Sequence, residues 1–269
     1  MRTALTIAGS DPSGGAGIQA DIKTFQAHGV FGMSVLTAVT VQNTQEVYYV
    51  QELDPEMVAG QLSCLFDDIE IHAVKIGMVS SIIVIEAIAN TLQKIDLPYV
   101  ILDPVMISKS GYKLLKEHAF ETLVNTLFPV ADVVTPNIHE AEAITGKKIE
   151  SVANMKEAAA ELLLFGAKKV VVKGGHLKGK FSVDVAYDGI TYQEYPTARI
   201  ETKNTHGTGC TFSSAIAANI AKGNDFFQSV ANAKEYITGA ILHSLSIGKG
   251  HGPVNHFFRE PDKNQYQKV

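Results

Sequence analysis

Tryptophan is absent from this 269-residue chain, and cysteine occurs only twice, as Cys64 and Cys210. Two thiols exclude a disulfide scaffold and a cysteine-based structural zinc site. There is also no surplus of positive charge: 23 Lys+Arg stand against 28 Asp+Glu, for a net charge of −5. A general affinity for nucleic acid or anionic membrane needs net or clustered positive charge, so any phosphate binding here must be local. No apolar run reaches the roughly 18 residues of a membrane span. The apolar stretch that ends at Gly9, behind the single basic residue Arg2, is too brief for a signal-peptide core. These absences predict a soluble, cytoplasmic protein without nucleic-acid or membrane partners. Internal repeats, low-complexity tracts and Pro/Ser-rich linkers are missing as well.

What is present is apolar material in alternating patterns. Hydrophobic residues make up 46% of the chain and charged residues 19%, enough for a sizeable core. The length suits one large α/β domain, residues 1–269. Short β-branched runs at 3–8, 34–41, 73–76, 99–102, 130–135 and 168–172 read as buried strands. Amphipathic stretches at 55–66, 80–92, 114–127 and 151–165 read as helices, the last capped by Ser151 and closed by Gly166. A hairpin is expected at 182–195, turning at Asp188-Gly189, and then two helices near 209–221 and 225–245. The pattern predicts a three-layer α/β/α domain with a mostly parallel sheet, whose ligands would sit where strands end.

Glycine and polar residues concentrate at those strand ends. The segment Gly15-Ala16-Gly17-Ile18-Gln19-Ala20 matches a dinucleotide fingerprint in spacing. Its context fails, because the strand stops near Gly9 and no acidic residue follows near 35–40 to hold a ribose. The open readings are a plain strand–helix turn or a glycine-rich wall close to a small substrate, with Asp21 one turn into the helix. A second segment, 174–181 (GGHLKGKF), has the spacing of a phosphate-binding P-loop but lacks its Ser/Thr and is followed by a hairpin. Lys173 before it is either a lysine reaching out to solvent or a point charge aimed at phosphate. Asp103 precedes Pro104 and is either a turn former or a crevice carboxylate able to hold Mg²⁺. Asn137 with Glu140 has the spacing of a helix capping box, and Glu140 is the second candidate Mg²⁺ ligand. The run Asn204-Thr205-His206-Gly207-Thr208-Gly209-Cys210-Thr211 leads into a small-residue helix, where converging backbone N–H groups form an anion hole. Cys210 falls at that terminus, where a thiol pKa is lowered; the competing reading is a capped helix with Cys210 as a small hydrophobe. Cys64, mid-helix, is expected in the core. Neither an H-E-x-x-H pair nor a G-x-S-x-G elbow is present.

Taken in order, the segments 5–21 (LTIAGSDPSGGAGIQAD), 37–43 (TAVTVQN), 75–78 (KIGM), 102–106 (LDPVM), 135–137 (TPN) with Glu140, 172–176 (VKGGH), 204–211 (NTHGTGCT) and 250–254 (GHGPV) span nearly the whole chain. Together they resemble the hydroxymethylpyrimidine/phosphomethylpyrimidine kinases of thiamine biosynthesis, within the ribokinase-like superfamily. The resemblance implies ATP and Mg²⁺, a homodimer, and transfer of phosphate to 4-amino-5-hydroxymethyl-2-methylpyrimidine and then to its monophosphate. By the same resemblance Gln42 reads the aminopyrimidine edge, Ala16, Met78 and Val105 enclose the ring, and Asp21 is a polar substrate contact. Asp103 and Glu140 become the Mg²⁺/phosphate acids, and Lys173, Thr208 and Asn137 lie on the ATP side. Gly207, Gly209 and Cys210 form the catalytic anion hole. Many superfamily members carry Asp where this chain has Cys210 and use it as general base, so the identity of the base stays open. A mobile lid is expected at Lys109-Ser110-Gly111.

Two other functions remain in view. Pyridoxal kinases phosphorylate a similar hydroxymethyl group on a pyridine ring, alone or as a dual activity, and Gln42 favours the pyrimidine. A nucleotide-binding regulatory module would have no need of Asp103, Glu140, Lys173 and Cys210 together.

Overall fold

The chain folds around nine strands that form one continuous sheet, described here from a computed structural model covering residues 1–96, 98–108 and 111–260. The strands are β1 (Thr3–Ser10), β2 (Phe31–Gln42), β3 (Val47–Glu52), β4 (Ala73–Ile76), β5 (Tyr99–Leu102), β6 (Val133–Val134), β7 (Lys169–Val172), β8 (Phe181–Tyr187) and β9 (Tyr192–Ala198). Their spatial order is β3-β2-β1-β4-β5-β6-β7-β8-β9. The six from β2 to β7 run parallel, and β3, β8 and β9 are antiparallel additions at the edges. The helices are α1 (Gly17–Ala27), α2 (Pro55–Asp68), α3 (Ile82–Leu92), α4 (Phe120–Leu127), α5 (Ile138–Thr145), α6 (Val152–Leu162), α7 (Thr208–Ala221) and α8 (Phe226–Leu242). No helix among the described residues is long and apolar enough to cross a membrane.

Side chains alternate across a strand, so the parallel strands feed two separate cores. Leu5, Ile7, Val74, Ile76, Val100, Leu102, Val170 and Val172 join one core with Val58 and Leu62 of α2, Ile85 and Ile88 of α3, and Leu123 of α4. Their neighbours Ala4, Ala73, Ile101, Val133 and Val171 join the other with Phe25 of α1, Phe212 and Ile216 of α7, and Val230 and Tyr236 of α8. On this second face the next inward residue of each strand, two positions further on, is polar: Thr6, Lys75, Asp103, Thr135 and Lys173. The polar step lies at the C-terminal ends of the strands, where α7 also begins.

Most expected elements are present, including the Ser151 cap and the hairpin turning at Asp188-Gly189. Three differ. The expected helix at 114–127 is regular only from residue 117, because the Leu114 and Leu115 amides both donate to the Met106 carbonyl and Lys116 donates to that of Ser80. The expected strand at 130–135 pairs only over Val133–Val134, since the Val130 and Ala131 amides close a turn onto the Leu127 carbonyl. Strand β3, absent from the sequence expectations, pairs antiparallel with β2 from Ala38↔Glu52 to Gln42↔Val47. Of the expected lid, Lys109 and Ser110 lie outside the described residues.

Candidate active site

A cavity of about 650 Å³ follows the C-terminal edge of the sheet. Gln42, Met78, Val105 and Ala16 line it at the β2–β5 end, and Ile237 and Ile241 of α8 line it beside β7–β9. Between them lie Asp103, Asn137, Glu140, Lys173, Gly207, Thr208, Gly209 and Cys210, so the residues singled out in the sequence share one wall, with a single exception.

That exception is Asp21. The sequence expectation made it a substrate contact, but it is fully buried and does not line the cavity. Its carboxylate accepts from Thr6 Oγ1 at 2.6 Å, from Ser214 Oγ at 2.7 Å and from Lys75 Nζ at 2.9 Å. With Lys75, which is also fully buried, it forms an ion pair that joins β1, β4, α1 and α7. A charge in such a place persists only when it is paired and hydrogen-bonded, and Asp21 meets both conditions.

The glycine loop after β1 is shaped by Asp11. Its carboxylate accepts from the Ser13 amide and hydroxyl, from the Ala16 amide at 2.9 Å, and pairs with His206 Nε2 at 2.7 Å. Burial alone would raise the Asp11 pKa; hydrogen bonds from His206, Ser13 and Ala16 overcome it and bring the pKa down to about 2. The same contact presses the loop against the start of α7. Gly207, the N-cap of α7, has φ +80°, and a Cβ there would lie 1.7 Å from the Gly15 carbonyl oxygen. Only glycine permits this backbone conformation and this approach. The N-terminus of α7 therefore opens directly into the cavity.

Next to it lies a charged cluster. Lys173 Nζ donates to Asp103 Oδ1 at 2.6 Å, and a Cβ on Gly209 would stand 3.4 Å from both Lys173 Nζ and Asp103 Oδ2. Burial would lower the Lys173 pKa, but Asp103 and Glu140 hold it above its ordinary value. Glu140 both caps α5, accepting from the Asn137 amide at 2.7 Å, and faces the cavity. The capping-box reading and the site reading of this residue thus hold together. Burial, with Asp103 nearby, pushes Glu140 up to about 7.

Of the two readings of Cys210, the lowered thiol pKa does not hold. Burial, with Asp21 and Asp103 nearby, outweighs Lys75 and a hydrogen bond from the Gly17 backbone and lifts the thiol to about 11. A thiol raised in this way is neutral near pH 7. The expectation for Cys64 does not hold: it is exposed on α2, where Val58 and Leu62 face the core instead, and its thiol donates to the Gln61 carbonyl one turn back at 3.3 Å.

Sequence reasoning assigned no role to Asp11, His206 or Lys75, or to the Lys234–Asp184 pair (2.8 Å) on the cavity wall. Asp11 and His206 are 195 residues apart, so no local spacing announces their contact. The only available signal was their presence inside the two glycine-rich segments.

Comparison with known proteins places this geometry. A sequence profile described as phosphomethylpyrimidine kinase matches residues 11–255. The hydroxymethylpyrimidine/phosphomethylpyrimidine kinase of Rhizobium meliloti is 49% identical over 259 residues, covering 95% of this chain and 97% of the relative. The thiamine biosynthesis bifunctional protein of Geobacter sulfurreducens is 48% identical over 258 residues; the match takes in 96% of this chain but 53% of that longer protein. Among solved structures, phosphomethylpyrimidine kinase from Clostridium difficile aligns with a TM-score of 0.81 at 48% identity, covering 90% of this chain and all of that one. Pyridoxal kinase from Bacillus subtilis, in its ADP complex, aligns with a TM-score of 0.90 at 40% identity, covering 96% and 98% of the two chains. A polar strand edge, a helix N-terminus seated on a glycine loop, and sequence matches along nearly the whole length agree: the chain belongs to the phosphomethylpyrimidine kinase family, phosphotransferases of ribokinase-like fold.

Proposed function

We propose that the chain transfers the γ-phosphoryl group of ATP to 4-amino-5-hydroxymethyl-2-methylpyrimidine, and then a second to the resulting monophosphate, as a step of thiamine biosynthesis. The observation that carries this reading is that one cavity holds both the Gln42 amide and the anion hole of α7. Gln42 can donate to and accept from an aminopyrimidine edge, while Ala16, Met78 and Val105 offer apolar surface to the ring. The apolar stretch along α8 suits the adenine of ATP, and Asn137, Thr208 and Lys173 suit its phosphates.

Phosphoryl transfer asks mainly for alignment and charge stabilisation. In the first transfer the acceptor hydroxyl oxygen bonds to the γ-phosphorus as the bond to the β,γ-bridging oxygen breaks and ADP leaves. The N-terminus of α7 and Lys173 offset negative charge on the transferring group. A neutral Cys210 orients the acceptor hydroxyl rather than removing its proton, which passes late to a phosphoryl oxygen. In the second transfer an oxygen of the monophosphate takes the place of the hydroxyl and forms the pyrophosphate bond. Glu140 and Asp103 both line the cavity beside the Lys173 ammonium, and two carboxylates facing the phosphate site suit Mg²⁺, which needs few protein ligands. Asp103 and Glu140 would hold the ion, with water completing its shell, and it would neutralise phosphate charge.

ATP as donor and two free cysteines fit a cytoplasmic enzyme acting as a single domain. The exposed Val39, Val41 and Tyr49 on β2 and the edge strand β3 support a homodimer, which sedimentation at micromolar concentration would show.

Pyridoxal phosphorylation is a second reading, favoured by the likeness to the Bacillus subtilis pyridoxal kinase. ATP consumption measured in parallel with the hydroxymethylpyrimidine, its monophosphate and pyridoxal separates the two. Turnover of both pyrimidines is the expected result; turnover of pyridoxal alone would overturn the proposal.

A further inference from the structure

Residues 250–254, Gly-His-Gly-Pro-Val, belong to no strand or helix and line no part of the main cavity. They run instead along the back of the loops that do. At one end the Gly250 amide donates to Thr44 Oγ1 at 3.2 Å, and the His251 amide donates to the Thr44 carbonyl at 2.9 Å. Thr44 lies two residues beyond Gln42. In the middle, the Gly252 amide donates to Asn204 Oδ1 at 3.1 Å, and the Gly252 carbonyl accepts from the His206 amide at 3.1 Å. His206 is the imidazole that holds Asp11, and through it the glycine loop. Just past this segment, His256 Nε2 lies 3.0 Å from Thr211 Oγ1, in the first turn of α7. This short strap thus touches the Gln42 turn and, through His206, the glycine loop, while His256 just behind it touches the helix that carries the anion hole.

The fit leaves no slack. A Cβ on Gly250 would lie 2.0 Å from the Thr44 carbonyl oxygen, although the backbone conformation of Gly250 is open to any residue. At Gly252 a Cβ would meet the Leu245 carbonyl oxygen at 2.0 Å and Asn204 Oδ1 at 2.6 Å. Replacing either glycine therefore moves the strap relative to its neighbours without straining a turn.

We propose that this strap is a positioning element for the acceptor: it fixes the separation between the Gln42 amide and the anion hole of α7, and so how the acceptor oxygen meets the γ-phosphoryl group. Displacement at its Thr44 end moves the acceptor-reading turn. Displacement at its Asn204 end moves the anion hole. The two ends therefore have different kinetic signatures, which a brace that only stabilised the fold would not show. The proposal rests on the reading of Gln42 as the residue that reads the acceptor.

The test is a comparison of KM and kcat. Gly250→Ala should raise the acceptor KM about tenfold or more, since displacements near 1 Å at a site are felt strongly, while the Kd for the non-hydrolysable analogue AMP-PCP stays within about twofold. Gly252→Ala should act chiefly on kcat. Thr44→Val keeps the side-chain volume and removes only the Oγ1 acceptor; it should raise the acceptor KM about threefold. It supplies the test if Gly250→Ala does not fold. Acceptor KM is measured with the hydroxymethylpyrimidine. If the wild type turns over pyridoxal and not the pyrimidine, the substrate reading fails, and the same comparison made with pyridoxal still tests the strap. An unchanged acceptor KM in Gly250→Ala and Thr44→Val overturns the proposal. So do parallel losses of acceptor KM and AMP-PCP affinity that track a falling Tm.

Discussion

The two faces of the sheet are built from the same strands and could hardly differ more. On the face covered by α2 to α6 the core is Leu, Ile, Val and Ala, with Met33, Phe128 and Met155. On the face covered by α1, α7 and α8 the core begins apolar and turns polar toward the strand C-termini. There Thr6, Lys75 and Asp103 meet Asp21, Ser213 and Ser214. The apolar face needs only volume and packing. The polar face needs every donor matched, because an unpaired charge in the interior costs several kcal/mol. One side of the sheet is held by apolar packing alone, whereas the other combines apolar packing with matched polar pairs and carries the cavity. The period-two alternation of each strand lets one sequence serve both.

Substitutions on the two faces should therefore fail in different ways. The largest effect is expected at the buried pair. Lys75→Met leaves Asp21 uncompensated and should cost about 3–5 kcal/mol of stability, whereas Lys75→Met combined with Asp21→Leu should recover most of it. Urea unfolding of the three proteins checks this; equal losses in the single and double variants would mean that the pair carries no charge-specific role. On the apolar face, Ile88→Ala should cost about 2–5 kcal/mol by opening a cavity while leaving kcat unchanged. A large fall in kcat, measured well below the unfolding midpoint, would break the division between the faces.

The smallest of these effects is pH-dependent and again belongs to the polar face. Burial lowers the His256 pKa to about 4. Its folded-state pKa lies below the unfolded value, so the unfolded chain takes up the proton first as the pH falls. The corresponding stability is complete above about pH 6.5 and is lost progressively toward pH 4. Between pH 7 and pH 5 the loss should be on the order of 1–2 kcal/mol. His256→Asn should remove that part of the pH dependence, which denaturation midpoints at the two pH values would reveal. Identical pH dependence in the variant would contradict the assignment.

Much of this arrangement is legible in the sequence because it is local. The buried strands 73–76 and 99–102 announce themselves by composition, and the hairpin by Asp188-Gly189. The capping box of Asn137 and Glu140 is visible from spacing alone. What spacing does not show depends on tertiary contact. Asp21, one turn into α1, reads as a cavity residue until Lys75, 54 positions away, is found beneath it. The acidified-thiol reading of Cys210 stays open in the sequence because its helix terminus is visible there, whereas the burial that outweighs the terminus is not. Cys64 reads as core because its helix is apolar around it, yet the helix turns that residue outward. Strand β3 had a signal, the run Val47-Tyr48-Tyr49-Val50 of good strand formers, but its pairing as an antiparallel edge is decided by β2.

Cys210 offers the most direct test of the account, because the central claim is that the start of α7 aligns the acceptor and does not act through a resident thiolate. Steady-state kcat for the hydroxymethylpyrimidine should be compared among wild type, Cys210→Ser and Cys210→Ala, with AMP-PCP affinity measured alongside. If a neutral group at this position orients the acceptor hydroxyl, Cys210→Ser should keep kcat within about tenfold. Cys210→Ala should then lose about 10²-fold, with nucleotide affinity unchanged in both. Equal losses of about 10²–10⁴-fold in Ser and Ala would contradict the account and make the Cys210 thiolate the general base.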